Sequence, residues 1–127
     1  MFEKLELTRM AQALAAQSGA RMAVIAENVA NADTPGYKAR DLPAFAEVYE
    51  AEGLELRGTR PGHITAPSQT ATPVPDIARG HESPNGNSVS LEAEMVKSVE
   101  ARQNHDMALA IYRATSDVIR ASLGRSR

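Results

Sequence analysis

Five of the seven prolines (Pro61, Pro67, Pro73, Pro75, Pro84) and five of the eight glycines (Gly53, Gly58, Gly62, Gly80, Gly86) fall within residues 53–86. Proline lacks a backbone donor and clashes with the preceding helical turn, so no long helix can cross that segment. The stretches on either side are almost free of such breakers. At 127 residues the chain has the length of one domain. The punctuation divides it into a long helix within 1–31, a middle segment over 32–90, and a second long helix within 91–127. The expected fold class is mainly α: long N- and C-terminal helices paired as a coiled coil, with an irregular middle segment open to short β pairing.

Composition supports helix-on-helix packing. Only 4% of residues are aromatic and none is Trp, so the core must come from Ala, Leu, Met, Ile and Val. A net charge of −2 with no basic stripe argues against general nucleic-acid binding. Without cysteine there is no disulfide, thiolate nucleophile or Cys-ligated zinc, which suits a chain that enters an oxidising space. No apolar run approaches the roughly 20 residues needed to span a bilayer. Glu3, Lys4, Glu6 and Arg9 interrupt any apolar region of a secretory signal. Any export is therefore expected to proceed without a cleaved signal peptide.

Each flanking stretch carries an apolar stripe. Over 5–31, the residues Leu7, Ala11, Leu14, Ser18, Met22, Ile25 and Val29 recur in steps of four and three, an eleven-residue period. Ala15, Ala16, Gly19, Ala20 and Ala23 lie around it and permit close approach of a neighbouring helix. Over 91–123, the residues Val96, Val99, Gln103, Met107, Ala110, Ala114, Val118 and Ala121 repeat the same period. Leu7, Leu14, Met22, Ile25, Val96, Val99, Met107 and Val118 are thus the expected packing stripe. Lys97 and Arg113 lie off it and are expected to tolerate polar substitution. Ser90 is the expected N-cap of the second helix, and Glu92 and Glu94 in its first turn suit the helix dipole. Gly124 is the expected stop, with Arg120, Arg125 and Arg127 near the negative end. Two helices alone leave apolar surface uncovered, which points to self-assembly or a binding partner.

The most informative stretch follows the first helix. Asn31 and Asp33 weaken helix, and Pro35 disfavours helical geometry at Thr34. Thr34-Pro35-Gly36-Tyr37 fits a type II turn, with proline at its second position and glycine where φ is positive. Nothing here activates a nucleophile.

Asn28, Val29, Ala30, Asn31, Thr34, Gly36 and Tyr37, with Pro35 between them, match a pattern of the form Asn-[Leu/Ile/Val]-Ala-Asn-x-x-Thr-x-Gly-[Phe/Tyr]. That pattern resembles the signature of the flagellar axial family of rod, hook and hook-associated proteins. The continuation over 38–41 and the run over 85–95 resemble its proximal-rod members, although Ser90 stands where an acidic residue is commoner. The resemblance implies a structural subunit of the proximal rod of the bacterial flagellar basal body. Such a subunit self-assembles through paired terminal helices, transmits torque and lines the export channel. The implied partners are copies of itself, other rod proteins such as FlgC, the rod–membrane-ring junction protein FliE, and the flagellar type III export apparatus. The implied location is the rod in the periplasmic space.

The remaining polar residues do not assemble a chemistry. His63, His81 and His105 show no metal-ligand spacing. Asp76, Glu82, Glu92 and Glu94 are scattered carboxylates. Phe45 and Tyr49 suit local packing on a short helix over 42–51. No catalytic residue, metal ligand or cofactor is expected. The rival reading is a soluble helical adaptor or chaperone that binds one partner helix. Such a protein has no reason to carry the signature turn.

Overall fold

The computed structural model describes residues 2–52, 75–78, 80 and 82–124. Among them, α1 spans Phe2–Ala30, β1 Arg40–Asp41, α2 Phe45–Glu52, β2 Asp76–Ile77 and α3 Leu91–Gly124. The fold is mainly α, with the two long terminal helices packed on each other. Their pairing is antiparallel: Asn28 near the end of α1 meets Glu94 at the start of α3, and Arg21 reaches Glu100 further along. β1 and β2 form a two-stranded antiparallel pair, Arg40 opposite Ile77 and Asp41 opposite Asp76. Phe45 and Tyr49 stack one turn apart on α2, with ring centroids 5.4 Å apart. The expectations for His63, His81, Arg125 and Arg127 lie outside the described residues.

The seam between α1 and α3 follows a seven-residue spacing. On α3 the buried residues are Glu94, Ala101, Ala108 and Thr115. On α1 they include Ala11, Ser18 and Ile25, with Val24 and Asn28 beside them. Ala108 is 0% exposed. A seven-residue repeat keeps one face of a helix turned to its neighbour. Small side chains along that face let the helices approach closely. Thr115 fits because its hydroxyl donates to the Ile111 carbonyl at 2.8 Å and so brings no unsatisfied polar group into the seam.

This corrects the packing expectation for α3. Val96, Val99, Met107 and Val118 are all exposed, Val99 by 66%. At about 100° per residue they lie on the side of the helix opposite Ala101 and Ala108. The seam selected for small size, whereas the eleven-residue stripe was read from apolar character. On α1 the two readings largely coincide: Ile25 is buried, and Leu14 and Met22 are half-buried. They part at its ends, where Leu7 and Val29 are exposed.

The ends of α3 follow local rules. Ser90 Oγ accepts from the Ala93 backbone N–H at 3.4 Å, and the Ser90 carbonyl accepts from the Glu94 N–H at 2.9 Å. Ser90 is therefore the N-cap. Gly124 is the last helical residue described.

Candidate functional site

The helix stop after α1 forms the centre of a hydrogen-bonded hub. The Asn31 N–H bonds back to the Glu27 and Asn28 carbonyls, both at 3.1 Å. The Asn31 side chain bridges outward: its amide donates to the Glu27 carbonyl at 2.9 Å, and its oxygen accepts from the Thr34 hydroxyl at 3.2 Å. The Tyr37 N–H then donates to the Thr34 carbonyl at 3.2 Å, closing a four-residue turn. Gly36 has φ of +74°, as the third residue of a type II turn requires.

Asn28 is fully buried, at 0% exposure. Its amide nitrogen donates to the Arg40 carbonyl at 2.7 Å and to Glu94 Oε2 at 3.0 Å. Its oxygen accepts from the Arg40 N–H at 3.0 Å and lies 3.4 Å from the Tyr37 hydroxyl. One side chain thus pairs with both backbone groups of a β1 residue, as a neighbouring strand would, while also holding α3. Val29 and Ala30 on the same turn are exposed.

A second turn, just before α3, locks onto the first. The Gly86 N–H donates to the Ser83 carbonyl at 2.8 Å, and the Ser83 N–H donates to the Asn87 carbonyl at 2.8 Å. With Pro84 and Asn85 at the centre and Gly86 at φ of +82°, this is a type I turn followed by a left-handed glycine. The two glycines face each other. A Cβ on Gly86 would stand 3.3 Å from the Gly36 Cα. The Gly36 N–H donates to the Asn85 carbonyl at 3.0 Å, and the Ser88 N–H donates to the Tyr37 carbonyl at 3.0 Å. Lys38 joins the same turn, donating to the Gly86 carbonyl at 3.1 Å and pairing with Glu82.

Asn87, itself buried, closes the hub. Its amide nitrogen lies 2.9, 2.8 and 2.8 Å from the carbonyls of Asn31, Ala32 and Thr34. These include carbonyls left open by the end of α1. Its oxygen accepts from the Val89 N–H at 2.8 Å. A residue immediately before α3 therefore caps the end of α1, 56 positions earlier.

A charged layer continues from the hub along the seam. The Arg21 guanidinium meets the Asp41 carboxylate through two nitrogens, at 3.0 and 3.1 Å. Lys97 lies 3.3 Å from Asp41 and 2.9 Å from Glu94. Glu94, only 2% exposed, accepts from Asn28 on one oxygen and from Lys97 on the other. Burial pushes Asp41 upward, but the hydrogen bond and charge of Arg21, the Leu42 N–H and the charge of Lys97 outweigh it. Its carboxyl is held below the ordinary carboxylate value. Burial would lower Lys97, but its bonds to Glu94 and the charge of Asp41 carry it above the usual lysine value. The Asp41 hydrogen bond and charge likewise raise Arg21, against an opposing effect of burial.

The hub gathers the polar signature residues and leaves the apolar stripe of α3 on the outside. It also gives Lys97 and Glu94 roles that the sequence reading did not. Lys97 binds two carboxylates, so it is not a neutral surface position. Glu94 is the buried partner of Asn28, more than a dipole complement. Asn87, Asp41 and Arg21 were likewise unassigned. The seven-residue series Glu94, Ala101, Ala108, Thr115 carried the signal for Glu94, but only if small residues are counted as a packing face. Among the described residues no cluster of His, Cys, Asp or Glu is placed to hold a metal ion. Among them, too, no helix is long and apolar enough to cross a membrane.

A two-helix scaffold whose helix stop is braced by asparagines, with an apolar face left open, has the form of an assembly module. Residues 10–38 match a family described as flagella basal body rod protein. Over 101 residues the chain is 31% identical to the flagellar basal body rod protein FlgB of Salmonella typhimurium, covering 72% of this chain and 73% of that one. It is 30% identical to FlgB of Agrobacterium fabrum over 120 residues, 88% of each chain. FlgB of Cereibacter sphaeroides is 35% identical over 91 residues, 69% of this chain and 70% of the relative. The chain belongs to the FlgB family of flagellar basal body rod proteins. Its role is structural, in the rod of the basal body and in association with other rod components, and it is not an enzyme.

Proposed function

We propose that the subunit self-assembles in the proximal rod by burying the outer face of α3, and that the hub holds this face rigid against α1. The observation that carries this reading is the exposed row Val96, Val99, Met107 and Val118. Each such side chain gains about 1.5–3 kcal/mol on full burial, and an isolated hairpin gives it nothing to bury against. The row runs along a helix of 34 residues, about 50 Å long, so it can contact more than one neighbour.

In this reading the neighbours are further copies of the chain and other rod proteins such as FlgC, with FliE at the membrane-ring junction. The paired terminal helices line the export channel, and the packed assembly transmits torque. The signature residues Asn28, Val29, Ala30, Asn31, Thr34, Pro35, Gly36 and Tyr37 set the angle at which the chain leaves α1. The subunit reaches the periplasmic rod through the flagellar type III export apparatus, without a cleaved signal peptide. The three segments 1–31, 32–90 and 91–127 serve as inner helix, outer segment and assembly helix.

The test is a paired motility and fractionation assay. Val99→Asp and Val118→Asp each place a charge in a seam that assembly would dry. Both variants should be exported but missing from purified basal bodies. Arg9→Gln, a polar exchange at an exposed position of α1, should be present at the normal level. Equal incorporation of all three would remove the outer face of α3 from the assembly contact.

A further inference from the structure

The outer face of α3 is flanked by four exposed charges whose order is self-complementary. Arg102, Asp106, Arg113 and Asp117 all lie on one edge of the apolar row and all are exposed. Their spacings of four, seven and four residues read the same from either end, with the midpoint beside Ala110. Reversing the helix direction therefore sets Arg102 against Asp117 and Asp106 against Arg113, twice over by symmetry. A parallel copy in register would instead set arginine against arginine and aspartate against aspartate. The bond between Arg102 and Asp106 within one helix is long, at 4.0 Å, and their side chains are 81% and 67% exposed, so both remain available.

The apolar row has the same symmetry. Ala110 stands at the midpoint, where a small side chain lets two helices touch. In the reversed register Met107 faces Ala114 of the second copy and Val99 faces its Ala121, so large residues meet small ones. A shallow depression between Val99, Arg102, Gln103, Asp106, Met107 and Ala110 lies on this face beside the midpoint.

We infer that the free subunit forms a two-fold antiparallel homodimer through the outer face of α3, centred on Ala110. Two hairpins then stand back to back as a four-helix bundle. The inference rests on the reading of this face as an assembly surface and names its occupant before rod assembly, a second copy of the chain. Apolar burial supplies the affinity, and the four charges choose the antiparallel register over the parallel one. Because rod assembly would use the same row, the dimer and the assembled state exclude each other.

The chain has no cysteine, so single cysteines report proximity cleanly. Under a mild oxidant, Ala110→Cys should give a covalent dimer of the full chain. Val96→Cys should not, because the two thiols would lie about 40 Å apart along an antiparallel pair. In sedimentation velocity the unmodified chain should associate reversibly. Arg102→Glu with Arg113→Glu should weaken association at least tenfold, and adding Asp106→Arg with Asp117→Arg should restore it to within a few-fold. A chain that stays monomeric at high micromolar concentration would overturn the dimer. So would equal cross-linking at Ala110→Cys and Val96→Cys, or a charge swap that fails to rescue. Rod incorporation is measured separately. A monomeric chain whose Val99→Asp variant is still lost from basal bodies sinks the dimer alone. A dimeric chain whose Val99→Asp variant enters basal bodies normally sinks the rod contact alone.

Discussion

Asn87 donates one amide group among three carbonyls at the end of α1 while its oxygen holds the Val89 N–H. Truncation to alanine orphans the helix end and the start of the second chain crossing together. Each lost bond is worth about 0.5–1.5 kcal/mol, and the buried carbonyls left behind add to the cost. Asn87→Ala should therefore lower unfolding stability by about 2–3 kcal/mol, read as a drop in denaturant midpoint at unchanged slope. Loss below 0.5 kcal/mol would mean that water replaces the amide and that the clamp is incidental. The signature residues were legible at this scale as a helix stop and a glycine-dependent turn, because proline, glycine and asparagine act on their own backbone. Their partners were not legible. Asn28 meets Glu94 66 positions away, and a buried acid looks the same in a sequence as a surface one.

α3 presents two faces with opposite requirements. The face toward α1 carries Ala101 and Ala108 where the helices touch, and enlargement there has no space to fill. Ala108→Leu should cost about 1–3 kcal/mol through overpacking. Val99→Ala, on the exposed face, should change the stability of the dilute subunit by no more than about 0.5 kcal/mol. Thermal melts of both variants at low concentration check the contrast. Equal losses would mean that the helix is rotated from the orientation described. The existence, length and capping of α3 were readable from its freedom from proline and from Ser90. Its rotation was not. Apolar periodicity marks every face that is to be buried, including one that only another subunit can cover.

At the scale of the molecule, Arg21, Asp41 and Lys97 tie α1, the segment after the turn and α3 into one unit. The linkage has a definite sign. Asp41 is held below its unfolded value, so its contribution is complete above about pH 4 and disappears as the pH falls through the lower folded value. Lys97 and Arg21 are raised, so their contributions persist below about pH 10 and are lost only above the lysine range. Melting temperature should fall on acidification below about pH 4, and the gap between the wild type and Asp41→Asn should narrow there. A gap that stays constant from pH 7 to pH 3 would show that Asp41 is not held by this layer.

The layer also separates what short-range chemistry dictates from what packing decides. Breakers concentrated over 53–86, long breaker-free flanks and the turn at Gly36 follow from backbone sterics within a few residues. Two long helices and a sharp stop were therefore fixed before any tertiary contact formed. The choice of α3 face, the burial of Glu94 and the reach of Asn87 back to α1 depend on which surfaces meet across more than fifty residues of chain. Close approach of two helices rewards small side chains and paired polar groups, and neither stands out by hydropathy. Tertiary packing alone could turn the alanines of α3 inward and leave its valines and methionine for a neighbour.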